Sequence, residues 1–186
     1  MKKFSLILGL SLTFILAFAF CAMADNALTV GADFGGKLNP TGDNYTVNTG
    51  YSVGYEFTIP QGRMEYGGGV EYQLYRTVQG NSNPTIPDGS QFNFIPLYGV
   101  MRYNFSNNNS SQPYAVARFG YNLVNGDSGF NTTIGTPNGG LYYAVGAGMN
   151  FNKKIKAEVM YSSSQGSGNS YNLLNNAYAL RVGYKF

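Results

Sequence analysis

Glu65 and Glu71 are two carboxylates that could in principle share acid–base work. Nothing in their spacing places them on either side of a substrate cleft. The chain has no histidine, so it lacks the commonest general base and metal ligand. A serine or carboxylate that works through an imidazole therefore has no partner here. The one cysteine, Cys21, lies in an N-terminal apolar run, which leaves the rest of the chain without thiol chemistry or a disulfide framework. Asp43-Asn44 and Asn125-Gly126-Asp127 offer too few carboxylates for a calcium loop and read as turn chemistry. The glycine clusters Gly31–Gly36 and Gly67-Gly68-Gly69 do not lie between a strand and a helix, as phosphate loops must. Enzymatic chemistry, a cofactor and a metal site are therefore not expected.

The charges are informative through their placement. Asp33, Glu56, Glu65, Glu71, Arg102, Arg118, Lys156, Glu158, Arg181 and Lys185 all sit on alternating segments, and always on the non-apolar parity. Successive residues of a strand point to opposite faces. A slip of one residue would move any of these charges to the apolar face. The segments that must position them are eight in number. They run from Leu28 to Gly35, Tyr51 to Ile59, Glu65 to Leu74, Ile95 to Phe105, Tyr114 to Leu123, Leu141 to Phe151, Lys154 to Ser162 and Tyr178 to Phe186. Each alternates large apolar or aromatic residues with small or polar ones.

The connections alternate too. Lys37–Asn44, Thr77–Ser90, Val124–Asn138 and Ser163–Asn175 are long and rich in Gly, Asn, Ser, Thr or Pro. Pro60-Gln61-Gly62, Ser106–Gln112 and Asn152-Lys153 are shorter. Aromatics make up 16% of the residues, yet mean hydropathy is −0.17. Alternation, rather than long apolar helices, reconciles those values. The pattern predicts an all-β, eight-stranded antiparallel up-and-down transmembrane β-barrel, apolar outside and polar inside. A soluble periplasmic barrel that buries its apolar stripes around a lipid satisfies the same parity. The loop asymmetry and the C-terminal strand argue against it.

The N-terminus reads as a secretory signal over residues 1–24. Lys2 and Lys3 precede an apolar run from Phe4 to Phe20, and Ala22-Met23-Ala24 is an A-x-A cleavage site before Asp25. The run is short for a membrane anchor. Phe20 before Cys21 is bulky for a lipoprotein signal. The barrel domain is then 25–186. Without Lys2 and Lys3 its net charge is about +1, which excludes a nucleic-acid surface.

Tyr178, Leu180, Val182, Tyr184 and Phe186 make an apolar stripe that ends on a phenylalanine. This resembles the C-terminal strand of bacterial outer-membrane β-barrels. Phe94–Phe105 and Pro113–Asn122 resemble the central hairpin of the small OmpA/OmpX-like barrel family, and the mature chain as a whole is similar to it. The resemblance implies a Gram-negative outer-membrane location and recognition of the terminal strand by the barrel assembly machinery. It also implies contact with outer-membrane lipids or lipopolysaccharide, and a role in envelope integrity or in adhesion to an extracellular host or surface ligand through the outer loops. A narrow porin-like channel for small solutes is the alternative. A closed barrel has no free sheet edge, so a monomer is expected. The inward charges are expected to pair inside the lumen, helped by inward Tyr98, Tyr114 and Tyr142. Arg76 shares parity with Tyr72 and Leu74, and is expected to point outward as a lipopolysaccharide contact. Phe130 and Tyr171 are the loop aromatics that could stack on carbohydrate.

Overall fold

The computed structural model describes residues 24–40, 45–79, 86–106, 111–135, 137–168 and 172–186. Strands β1 (Asp25–Pro40), β2 (Tyr45–Val47), β3 (Gly50–Gln61), β4 (Met64–Gln73), β5 (Arg76–Gln79), β6 (Gln91–Asn104), β7 (Ser111–Gly126), β8 (Asn138–Phe151), β9 (Ile155–Ser167) and β10 (Asn172–Lys185) form one antiparallel sheet. A short helix, α1 (Ser128–Ile134), sits between β7 and β8. β1 pairs with β10 from Ala27↔Lys185 to Pro40↔Leu173, so the sheet closes on itself. β2 continues the line of β3, and β5 that of β4. The ring is thus the expected one of eight strands.

The faces settle which way the barrel is turned. Val30, Phe119 and Phe186 are 61%, 66% and 66% exposed on the outer wall, while Glu56, Lys156 and Arg181 are each 1% exposed inside. An apolar exterior around a charged interior is the inverse of a soluble barrel. The outward stripe of β10, Tyr178 to Phe186, covers about 26 Å along the strand at ~3.3 Å per residue. At a tilt of ~40° that is a height of roughly 20 Å, near that of a hydrocarbon band. Outward Phe34, Tyr51, Tyr121, Tyr143 and Tyr178 ring one edge of the band, and Tyr103, Phe105, Phe151, Tyr184 and Phe186 the other. Such aromatic rings mark the two membrane interfaces.

At the long-loop edge several strands take in extra residues. β1 shifts register between Phe34 and Lys37, with Gly35 at φ 63° supplying the left-handed backbone that the bulge needs. Asn48-Thr49 separates β2 from β3, Leu74-Tyr75 separates β4 from β5, and β8 shifts between Gly139 and Tyr142. In β1, β2–β3 and β4–β5 these insertions reverse the parity of the residues beyond them. Lys37, Thr46 and Gln79 then face out, while Leu38, Val47 and Val78 are buried.

The long connections are therefore less loop-like than their composition suggests. Much of the described part of Lys37–Asn44, Thr77–Ser90, Val124–Asn138 and Ser163–Asn175 continues the barrel wall as β1, β5, β7, β9 and β10, or forms α1. The expected leader, including Ala22, lies outside the described residues apart from Ala24, and Tyr171 lies outside them as well. β1 opens at Asp25.

Candidate functional site in the barrel lumen

Inward parity brings the sequence-predicted charges together in two groups. Near the short turns, Glu56, Glu65 and Glu158 meet Arg102, Arg118 and Lys156. The Arg102 guanidinium reaches Glu56, Glu65 at 3.1 Å and Glu158 at 3.3 Å. Arg118 Nη2 lies 2.9 Å from Glu56 and 2.6 Å from Glu158. Lys156 Nζ donates to Glu56 Oε1 at 2.6 Å. Tyr114 donates to Glu158 at 3.0 Å, and Asn104 donates to Glu65 at 3.0 Å. The Arg118 guanidinium also lies 5.1 Å from the Tyr98 ring centre, within cation–π range.

Farther toward the long loops, Asp33 and Glu71 meet Arg76 and Arg181. Arg181 grips Glu71 with two parallel hydrogen bonds of 2.7 Å, the fork geometry that makes such pairs strong. Arg181 also lies 3.7 Å from Asp33, and Arg76 donates to Asp33 from the other side. Each group balances its carboxylates with an equal number of cations. A charge removed from water in a narrow barrel requires such pairing.

Arg76 corrects an expectation. It does not face lipid; its side chain is buried against Asp33. The two extended residues Leu74 and Tyr75, both exposed, reverse the parity that simple alternation from Tyr72 assigns to it. Glu65 and Glu71 also part company: one belongs to the Arg102 group and the other pairs with Arg181. Neither keeps a free acid–base role.

Above the charges the lumen changes character. Leu38, Tyr45, Val47, Val78, Ile86, Phe92, Phe94, Val124, Phe130 and Leu173 form a buried apolar cluster. Phe130 of α1 drops into it and stacks on Phe92, with ring centres 5.4 Å apart. Asp127 fixes the helix by accepting from Phe130 N at 2.8 Å, and ties it to β6 by accepting from Gln91 N at 3.0 Å. Phe130 is thus a core residue and not an exposed stacking platform, and Asp127 is a helix cap. Sequence reasoning passed over this cluster. Its signal was the even parity of Phe92 and Phe94, shared with inward Tyr98 and Arg102.

At the other end the lumen opens into a polar hollow of about 400 Å³ whose lining includes Asp25, Glu65, Asn104, Gln112, Asn150, Lys153 and Lys185. Asp25 and Lys185 pair across it at 3.0 Å. The arrangement contains linked ion pairs and a greasy stopper. Among the described residues it places no activated nucleophile beside a base.

A closed ring of eight antiparallel strands with an apolar outer band and a charged interior is a transmembrane β-barrel of the small outer-membrane type. The chain belongs to the family described as outer membrane protein beta-barrel domain, whose model matches residues 10–186. No curated relative matches it. Among solved structures it is similar to Neisserial surface protein A (NspA), with 15% identity, 88% of this chain and 99% of that one covered, and a TM-score of 0.57. OprG from Pseudomonas aeruginosa gives 15% identity over 88% and 95% of the two chains, with a TM-score of 0.51. The outer membrane enzyme PagL gives 17% identity over 86% and 97%, with a TM-score of 0.51. At these identities the likeness is one of fold. That fold carries both enzymes and proteins of other kinds.

Proposed function

We propose that this chain is a non-enzymatic scaffold of the outer membrane. Its plugged barrel holds a rigid collar on the cell surface, for envelope integrity or for contact with an outside ligand. The observation that carries this reading is the Phe92–Phe94–Phe130 stopper above the two ion-paired layers. A solute path would have to cross both a buried apolar layer and two sets of paired charges. Narrow barrels of this size are wide enough only for side chains to fill. The four outer connections, carried on wall strands, are the surface on which specificity would live.

Planar-bilayer recording of the folded chain tests it. Silence from protein whose folding is verified by a heat-dependent gel shift is the expected result. Reproducible unitary steps that change in an Arg118 or Glu158 variant would replace the scaffold with a narrow solute channel. We also assign residues 1–24 to a removed leader. The mass of the protein from the outer-membrane fraction should correspond to a chain that begins at Asp25.

A further inference from the structure

The charges outside the two ion-paired layers are sorted by end. At the short-turn rim stand Arg63, Lys153, Lys154 and Lys185, against Asp25 alone. At the long-loop end the described charges are Lys37, Asp88 and Asp127. Lys185 is paired with Asp25. Arg63, Lys153 and Lys154 are exposed and make no ion pair among the described residues. The rim of the short turns, the periplasmic side in barrels of this type, is therefore basic.

The backbone holds these cations at the membrane surface. Asn152 and Lys153 both have left-handed φ, 48° and 60°, and Lys154 N donates to Phe151 O at 3.1 Å, which makes a tight primed hairpin. Lys154 is followed at once by Ile155, an outward residue 48% exposed, whereas Lys153 lines the polar mouth of the lumen. A long cationic side chain placed like that of Lys154 reaches the headgroup level. Arg63 precedes Met64, which lines an apolar hollow on the outer wall with Met101, Tyr103, Ala115 and Ala117. A second hollow shares Met101 and Ala117 and continues up the wall past Gly99 to Phe119. Small outward Gly68, Gly99, Ala115 and Ala117 leave the sheet surface low along this line.

We propose that the basic rim gathers anionic phospholipids of the periplasmic leaflet, with their phosphates at Arg63 and Lys154. The trough on β4, β6 and β7 holds an acyl chain of the lipid at Arg63. The source is the bilayer and not a soluble anion, because the cations border lipid-facing residues and the trough is apolar.

The test folds the chain into phosphatidylcholine bilayers carrying trace spin-labelled phosphatidylglycerol or phosphatidylcholine, and measures the motionally restricted fraction of each. Phosphatidylglycerol should be preferred by about fivefold per engaged cation at low salt. The preference should fall as salt is raised. It should vanish in an R63Q/K154Q variant and persist in K37Q and K153Q, with the heat-dependent gel shift intact in all three. Equal restriction of the two lipids by the unaltered chain would overturn the proposal, as would a preference that survives the double substitution. Abolition of the preference by millimolar inorganic phosphate would move the site to soluble anions. Retention on isolated peptidoglycan without any lipid preference would do the same for a glycan partner.

Discussion

Glu56→Gln should destabilise the barrel far more than its small change in shape suggests. The Glu56 carboxylate faces Arg102, Arg118 and Lys156, and also accepts from Tyr98 at 3.4 Å. With an amide in its place, Glu65 and Glu158 are left to balance three cations in a site where Arg102, Arg118 and Lys156 are at most 2% exposed. Removing one partner from a buried ion pair costs about 3–5 kcal/mol. Glu158 still lies within reach of all three cations, with Lys156 the most distant at 3.8 Å. The lower half of that range, about 3 kcal/mol, is therefore expected. The decisive variant is the double substitution Glu56→Gln with Lys156→Met. It restores neutrality, since Arg102 and Arg118 then face Glu65 and Glu158. Replacing buried charge by a well-packed apolar group is often close to neutral, so the double variant should recover about 1–2 kcal/mol over the single. Urea titration of the folded protein in detergent micelles, followed by far-ultraviolet circular dichroism, measures both. A single variant within about 1 kcal/mol of the original chain would show that the layer is hydrated and screened. A double variant no better than the single would show that charge balance is not what holds it.

Phe130→Ala removes the ring that stacks on Phe92; a cavity of that kind costs about 3–5 kcal/mol, to be read as a lower urea midpoint with an unchanged circular dichroism spectrum. Arg76→Ala should destabilise by about 3 kcal/mol, because Asp33 then keeps only Arg181 at 3.7 Å. The same variant should leave lipopolysaccharide co-purification unchanged, since the side chain does not reach the outer wall. Gly67→Ala should lower refolding yield sharply on the heat-shift gel. A Cβ there would stand 1.8 Å from the Phe57 carbonyl oxygen, so β3 and β4 could not stay paired.

The membrane-embedded part of the barrel was legible residue by residue, because hydrocarbon imposes one rule on every strand. Leu28, Val30, Tyr51, Val53, Leu180 and Val182 all face out, and Glu56, Arg102, Arg118 and Arg181 all face in. Legibility ends at the outer aromatic ring for a physical reason. Past Phe34, Tyr51 and Tyr178 the wall stands in water, so its preferred pattern reverses to apolar inside and polar outside. Leu38 is buried beside outward Lys37, Val124 beside outward Asn125, and Leu173 beside outward Asn172. A reading that follows apolar-outward alternation stops there and assigns loop to what is still strand. The bulges at Gly35 and at Leu74-Tyr75 add a second obstacle, since they reverse parity without any change in composition. Arg76 was misplaced on that account alone. The pairing inside the lumen was less legible than its membership. Parity selects the inward residues, but which carboxylate each guanidinium meets depends on strand register. That is why Glu71 joins Arg181 and Glu65 joins Arg102.

The two fillings of the lumen follow from the two media around it. Within the hydrocarbon band the strands spend most of their apolar residues outward on lipid, so the inward face, beside a cluster that includes Tyr98, Val116 and Met160, receives the charged groups. Those groups can be buried only as balanced ion pairs. Above the band the outward face is solvated by water, and the inward face becomes free to be apolar. A ten-residue cluster of Leu, Ile, Val, Phe and Tyr can then form a core of the ordinary soluble kind. The stability of the upper wall should accordingly depend on packing, and that of the lower wall on charge. Glu56→Gln and Phe130→Ala should therefore act on different halves of the molecule. Hydrogen exchange resolved by residue would separate them: Phe130→Ala should speed exchange in β2, β5 and the outer part of β10 while leaving β3 and β9 near Glu56 and Glu158 protected. Uniform acceleration around the whole ring would mean that the two halves unfold as one unit.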